Sequence, residues 1–205
     1  MKLNDFDAYR LLEKYGIPVA RYGLARSIEE AELLMANMDY PVFMKIDSPD
    51  IIHKMTLGFV KILHSPEKLT ELFRSMMNNA RQVTNNINGI IFQEFGAGLE
   101  AIVGAKYDEQ FGYVVMFGSG GPMAEIIDDV SFRLIPFSRF DCRTMIEDTK
   151  IFTLLEKRGI DIEDIVQVLV NVSRLAEKEG IKELDINPLF VSKERIVAAD
   201  VRIMK

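Results

Sequence analysis

One cysteine, Cys142, stands in the 205-residue chain, which excludes an internal disulfide and any cage of cysteine thiolates around a metal. Tryptophan is absent, and histidine occurs only as His53 and His64. No apolar run reaches the ~20 residues needed to span a bilayer, and no signal peptide opens the chain, so a cytoplasmic protein without a membrane partner is expected. Basic residues are in deficit: 25 Lys and Arg against 31 Asp and Glu leave a net charge of −6. No overall basic field therefore recruits nucleic acid, and any phosphate site must be a local cluster of cations and backbone N–H groups. Common motifs are missing too. Gly118-Ser119-Gly120-Gly121 lacks the Gly-Lys-Ser/Thr ending of a Walker A loop, and Met123 stands where a dinucleotide fingerprint needs its third glycine. Without an HExxH helix, zinc-assisted hydrolysis is disfavoured.

What is present reads as a globular α+β chain, 48% hydrophobic and 27% charged. Asn4 caps a helix that Gly16 stops, a strand follows near 19–25, and Ser27 with Glu30 forms a capping box for the next helix. Strands at 41–46 and 59–63, a helix opened by Ser65-Pro66, and a strand at 89–95 complete a β-α-β-β-α-β order, the layout of split βαβ units. Gly96-Ala97-Gly98 marks a boundary. Beyond it come a hairpin around 108–110, the glycine-rich turn, a broken helix at 141–158 and an amphipathic helix ended by Gly180. Two α+β subdomains are expected, 1–95 with its preceding helix and 96–205, with a ligand cleft between them.

The end of the chain carries the clearest pattern. Residues 183–190 and 195–203 both alternate apolar and polar, as half-buried strands do. Folded into a hairpin with Lys193-Glu194 at its tip, they set Asn187 opposite Asp200 and Asp185 opposite Arg202. An amide oxygen and a carboxylate at cross-strand distance suit magnesium, which takes one or two carboxylates plus phosphate oxygens. The plain alternative is a solvated face with an Asp185–Arg202 pair. Pro188 suggests an edge strand or a bulge, and a bulge would shift the register by one.

Cations interrupt otherwise apolar stretches at Lys45 and Arg133. Each is either a side chain reaching solvent or a charge aimed at phosphate. Gly118 to Gly121 follow a strand, where successive N–H groups form an anion-binding concavity or a plain turn. Gln93-Glu94-Phe95 ends a strand at the boundary, placed to meet a flat heterocycle, with Glu100 within reach of ribose hydroxyls. His53, beside Lys54 in a loop ending at Gly58, is a competent nucleophile at phosphorus when neutral. A lone loop histidine is more often inert. His64 reads as structural.

The stretches LLEKYGIPVA, SIEEAE, YPVFMKIDSPDIIHK, IIFQEF, LEAIVGAKYDEQFGYVVMFGSGG, DDVSFRLIPF and ELDINPL…AAD together resemble the ATP-grasp β subunit of the ADP-forming acyl-CoA synthetases, typified by archaeal acetate-forming enzymes. That resemblance implies an ATP-grasp fold with the nucleotide between the two subdomains. It implies Lys45 on nucleotide phosphate, Gln93, Glu94 and Phe95 lining the adenine pocket, and Glu100 near the ribose. Gly118, Ser119, Gly120, Gly121 and Arg133 would surround the phosphates of ATP or ADP, and Asn187 and Asp200 would hold Mg2+. His53 would carry phosphate, steadied by Lys54. Leu57-Gly58-Phe59 replaces the paired glycines usual in the family, which is expected to alter the loop. No segment resembles the family's CoA-binding domain, so a separate α subunit is implied, in a heterotetramer with two copies of each. The rival readings are a stand-alone ATP-grasp ligase working through an acyl phosphate, and a nucleotide-binding regulatory module without catalysis.

Overall fold

A computed structural model describes residues 1–51, 54–121 and 128–205. Packing divides the described chain into two compact units: Asn4–Asp7 with Ala20–Phe95, and Met1–Leu3 with Ala8–Val19 and Gly96–Lys205.

The first unit is a four-stranded sheet backed by helices. Its strands are β1 (Tyr22–Ala25), β2 (Val42–Asp47), β3 (Val60–Leu63) and β4 (Gly89–Glu94), in the order β1-β4-β2-β3 with every neighbour antiparallel. α2 (Ile28–Met35) joins β1 to β2, and these two run parallel with β4 between them. α3 (Leu69–Arg81) joins β3 to β4 around β2 in the same way. These are the two interlocked split βαβ units that the element order predicts. Val42, Met44 and Ile46 of β2 and Ile90 and Phe92 of β4 share a core with Met35 of α2 and Phe73 and Met76 of α3. Strand alternation sends Phe43, Lys45, Asp47, Ile91 and Gln93 to the other face. Local signals act as expected at α2: the Ser27 side chain accepts from the Glu30 N–H, although the Glu30 carboxylate reaches back to Arg26 rather than to Ser27.

The second unit is a larger antiparallel sheet. It contains β5 (Leu99–Asp108), β6 (Gly112–Ser119), β7 (Val130–Leu134), β8 (Glu183–Val191), β9 (Ile196–Ala198) and β10 (Val201–Met204). The order is β10-β8-β5-β6-β7, with β9 also on β8. Helices α4 (Arg139–Glu147), α5 (Lys150–Lys157) and α6 (Glu163–Glu179) pack on this sheet. The expected break in the first of these helical stretches falls at Asp148-Thr149. Asp129 caps α5, accepting from the Lys150 and Ile151 N–H groups at 2.5 and 2.9 Å. Gly180, in the left-handed region at φ 61°, ends α6.

Most of α1 (Asp5–Lys14) belongs to this second unit. The fully buried Tyr9 donates its hydroxyl to the Ala199 carbonyl at 3.2 Å, and Val19 bridges to Ala198. Glu179, at the end of α6, ties the chain ends together by accepting from Lys14, Lys205 and the Tyr15 hydroxyl at 2.7, 2.8 and 3.0 Å. Those donors, Lys14 first, pull its carboxyl down to about 2 from an ordinary 4.5. The stabilisation is therefore complete above pH 4.5 and disappears as pH falls toward 2. Glu179→Gln should cost about 1–2 kcal/mol at neutral pH. In urea melts at pH 7 and pH 2 the gap between variant and wild type should close at the lower pH.

Candidate functional site

β8 sorts the second unit's side chains. Leu184 and Ile186 point into the helix-covered core with Val201 and Ile203, which sit opposite them. Asp185 and Arg202 are paired in register on the other face. Beyond Ile186 and Val201, Asn187 and Asp200 turn to that same face, and the Asn187 N–H donates to the Asp200 carbonyl at 3.2 Å. The register read from alternation alone is the register observed. Of the two proline readings the bulge is found and the edge strand is excluded. β8 is flanked on both sides, and its ladder with β5 slips between Ala101 and Val103, opposite Leu189 and Ile186, while the register against β10 is kept. The alternation also breaks there: Leu189 and Ala198 are opposite each other in the core, so Val197 does not share a face with Val201.

Glu100 and Gly121 join this group. Asn187 Oδ1 accepts from the Gly121 N–H at 3.5 Å, and the Glu100 carbonyl accepts from the Gly120 N–H at 2.8 Å. The backbone angle at Gly121, φ 67°, favours glycine, and a Cβ there would stand 2.0 Å from Glu100 Oε2 and push that carboxylate aside. Asp185 is the member that residue-by-residue reading had assigned to Arg202. Arg202 pairs instead with Glu183, at 3.9 Å. Burial pushes the Asp185 carboxyl above its ordinary range, and the charges of Asp200 and Glu183 add to the effect. Among the described residues no group of three or more His, Cys, Asp and Glu forms a metal cage. The donors on this face are an amide oxygen and carboxylates, the hard-oxygen type that magnesium accepts when phosphate and water complete its shell.

Arg133 and Ser119 are not part of this group. Phe117 faces the core, and register puts Ser131 opposite it and Arg133 opposite Val115, on the helix side of the sheet. The Arg133 guanidinium is engaged there by Asp148 at 2.7 Å, Thr144 at 3.2 Å, Ser131 at 3.0 Å and the Phe132 carbonyl at 2.8 Å. The expected phosphate fork is a brace between β7 and α4. Ser119 donates its N–H to the Asp129 carbonyl and its hydroxyl to Asp129 Oδ2, at 3.0 and 2.5 Å. With Gly120 and Gly121 also donating inside the protein, the N–H groups of 119–121 already have partners and form no open anion nest. Gly118 is glycine for packing, since a Cβ would lie 2.0 Å from the Asp129 carbonyl.

In the first unit, Lys45 is 8% exposed and donates from Nζ to Gln93 Oε1 at 2.7 Å. It lies on the face turned away from α2 and α3, 5.7 Å from the Phe43 ring centroid. Phe43 in turn stacks on Phe95 at 3.9 Å with 17° between planes. Lys45, Gln93 and Phe95 are thus brought together around Phe43, a residue whose role the sequence reading missed. Glu94 is at 3.8 Å from Arg21. Lys54 is buried, not exposed, and pairs with Asp5 at 2.6 Å. His53 lies outside the described residues. Among the described residues, no helix is long and apolar enough to cross a membrane.

The family model for the ATP-grasp domain matches residues 1–204, so the chain belongs to the ATP-grasp family. The beta subunit of ADP-forming acetate–CoA ligase I from Pyrococcus furiosus is 41% identical over 98% of this chain and 91% of that protein. Two solved structures of the dinucleotide forming acetyl-coenzyme A synthetase 1 of Ca. Korarchaeum cryptofilum are similar throughout. The one with coenzyme A, Ca-AMPCP and HgCl+ has a TM-score of 0.88 and 39% identity, covering 99% of this chain and 93% of that one. The other, with coenzyme A, Mg-AMPPCP and a phosphohistidine segment pointing towards the nucleotide binding site, has a TM-score of 0.82 and 34% identity over 99% and 92%.

Replacing Arg133 by Met should lower stability by about 1–2 kcal/mol, the scale of charged hydrogen bonds. Magnesium–nucleotide affinity should change less than about twofold. Denaturant melts and calorimetric titration check this; a tenfold loss of affinity at full stability would return Arg133 to the phosphates.

Proposed function

We infer that this chain is the nucleotide-binding β subunit of an ADP-forming acyl-CoA synthetase, an acid–thiol ligase. With a CoA-binding α subunit it converts acyl-CoA, ADP and phosphate reversibly into the acid, CoA and ATP. The assembly is a heterotetramer with two copies of each chain, in the cytoplasm. The observation that carries the reading is the placement of Asn187 opposite Asp200, beside Glu100 and Gly121, on the sheet face away from the helices. This occurs in a chain of which 98% matches a ligase beta subunit at 41% identity.

Each unit contributes groups suited to phosphoryl transfer, which asks the protein for positioning and charge neutralisation rather than covalent chemistry. Lys45, held by Gln93, supplies a buried positive charge for phosphate. Phe95, backed by Phe43, supplies a flat apolar surface for adenine, with the Gln93 to Phe95 backbone setting its edge. Glu100 is suited to accept from ribose hydroxyls. Asn187 and Asp200 would hold magnesium, which when bound offsets the charge of phosphate oxygens. Gly118 to Gly121 shape this region through close packing. His53 takes the phosphoryl group from a phosphohistidine of the α subunit, one N–P bond forming as the donor's N–P bond breaks. It passes the group to ADP, a P–O bond forming as its own N–P bond breaks and the imidazole is regenerated.

His53→Ala should bind magnesium–ADP within about twofold of wild type yet make no ATP from acyl-CoA with the α subunit. Turnover by that variant would remove the histidine relay. Asp200→Asn combined with Asn187→Ala should weaken nucleotide binding about tenfold or more in magnesium, and little in EDTA. Equal losses in both conditions would remove the metal role.

A further inference from the structure

Lys54 follows His53 directly, and the resemblance implies that it steadies that histidine. Its surroundings say how. The ammonium is 2.6 Å from Asp5 Oδ2, and the two side chains are only 8% and 7% exposed. Asp47 is beside them. Its Oδ1 accepts from the Asp5 and Phe6 N–H groups at 3.0 and 3.4 Å, so it caps the start of α1, and its Oδ2 accepts from Asn88 at 3.0 Å. Burial first of all pushes the Asp47 carboxyl up, and Asp5 adds to this while Lys54 opposes it. Lys54 thus balances two carboxylates already present. A phosphate drawing it away would leave Asp5 buried and uncompensated, which buried pairs resist strongly.

The backbone around Lys54 is equally fixed. Its carbonyl accepts from the Phe59 N–H at 2.7 Å, and the Phe59 carbonyl accepts from the Ile46 N–H of β2 at 3.1 Å. On the other side of His53, Ile51 is 1% exposed in the core, and Asp50 accepts from Thr84 and Asn86 at 2.6 and 3.3 Å.

We propose that Asp5 and Lys54 form a buried ionic pin that fixes the backbone next to His53, making both of them positioning residues for phosphoryl transfer, with Lys54 not a phosphate ligand. The proposal rests on the phosphohistidine reading above. The test compares wild type, Lys54→Met, Asp5→Asn and the double variant, each assembled with the α subunit. Phosphate incorporation at residue 53 from γ-labelled ATP is the main readout. Magnesium–ADP affinity and amide exchange at Phe59 are followed beside it.

Each single variant should incorporate phosphate at least about tenfold more slowly, at near-unchanged ADP affinity, with faster exchange at Phe59. The double variant, which removes the Asp5–Lys54 pair together and leaves Asp47 with its hydrogen bonds from Asn88 and the N–H groups of residues 5 and 6, should recover to within about threefold. A double variant as slow as Lys54→Met, or single variants as fast as wild type, would overturn the pin. Should wild type itself take up no phosphate, the phosphohistidine reading fails. Phe59 exchange then decides the pin by itself: unchanged rates in the single variants overturn it.

Discussion

The pairing register of β8 against β10 is the constraint on which the second unit's chemistry depends. Leu184, Ile186, Val201 and Ile203 are all buried on one face, and burying an aliphatic side chain is worth ~1.5–3 kcal/mol. A slip by one residue would turn all of one strand's apolar side chains to the wrong face. Asn187 and Asp200 therefore need no attraction of their own to be neighbours. Their adjacency follows from the core beneath them, which lets two oxygen donors and nearby Asp185 share a face despite mutual repulsion. The raised titration of Asp185 is the sign of that repulsion and of burial together.

The same alternation that was legible in the sequence also marks where legibility ends. Period two gives the face each residue shares with its neighbours on one strand. It does not say which face the helices cover, nor how a distant strand is phased. For β8 and β10 the apolar sets are unambiguous, and the register could be read. For β7 the sequence VSFRL sends Phe132 and Leu134, both half-exposed, to one side and Ser131 and Arg133 to the other. Hydrophobicity alone would put Phe and Leu inside; pairing with Val115 and Phe117 of β6 shows the reverse. Pro188 left an edge strand and a bulge both open, since a proline disfavours a regular central strand; the slip in the β5–β8 ladder beside it is the bulge. Caps, glycine stops and the split βαβ order depend on residues a few positions apart and were readable. The Asp5–Lys54 pair joins residues that no local pattern connects.

A charged residue inside an apolar stretch has two general explanations, a ligand site or an internal strut, and the internal partners of Arg133 and Lys54 are those of struts. Arg133 spends its donors on Asp148, Thr144, Ser131 and a carbonyl, so its fork is consumed in holding α4 to β7. Lys54 spends its charge on Asp5. Lys45 donates to Gln93 Oε1 at 2.7 Å, on the sheet face turned away from α2 and α3.

The glycines follow the same logic. A glycine-rich turn after a strand is commonly taken as a sign of backbone offered to phosphate, because no side chain blocks the approach. At Gly118, Gly120 and Gly121 the space a Cβ would fill is already taken, by the Asp129 carbonyl, the Ala101 backbone and the Glu100 carboxylate. The approaching group is the protein itself. What these glycines make possible is a close fit in which Gly121 lies against the Glu100 carboxylate and donates its N–H to Asn187. A substitution at Gly121 would displace Glu100 and disturb the contact with Asn187 together.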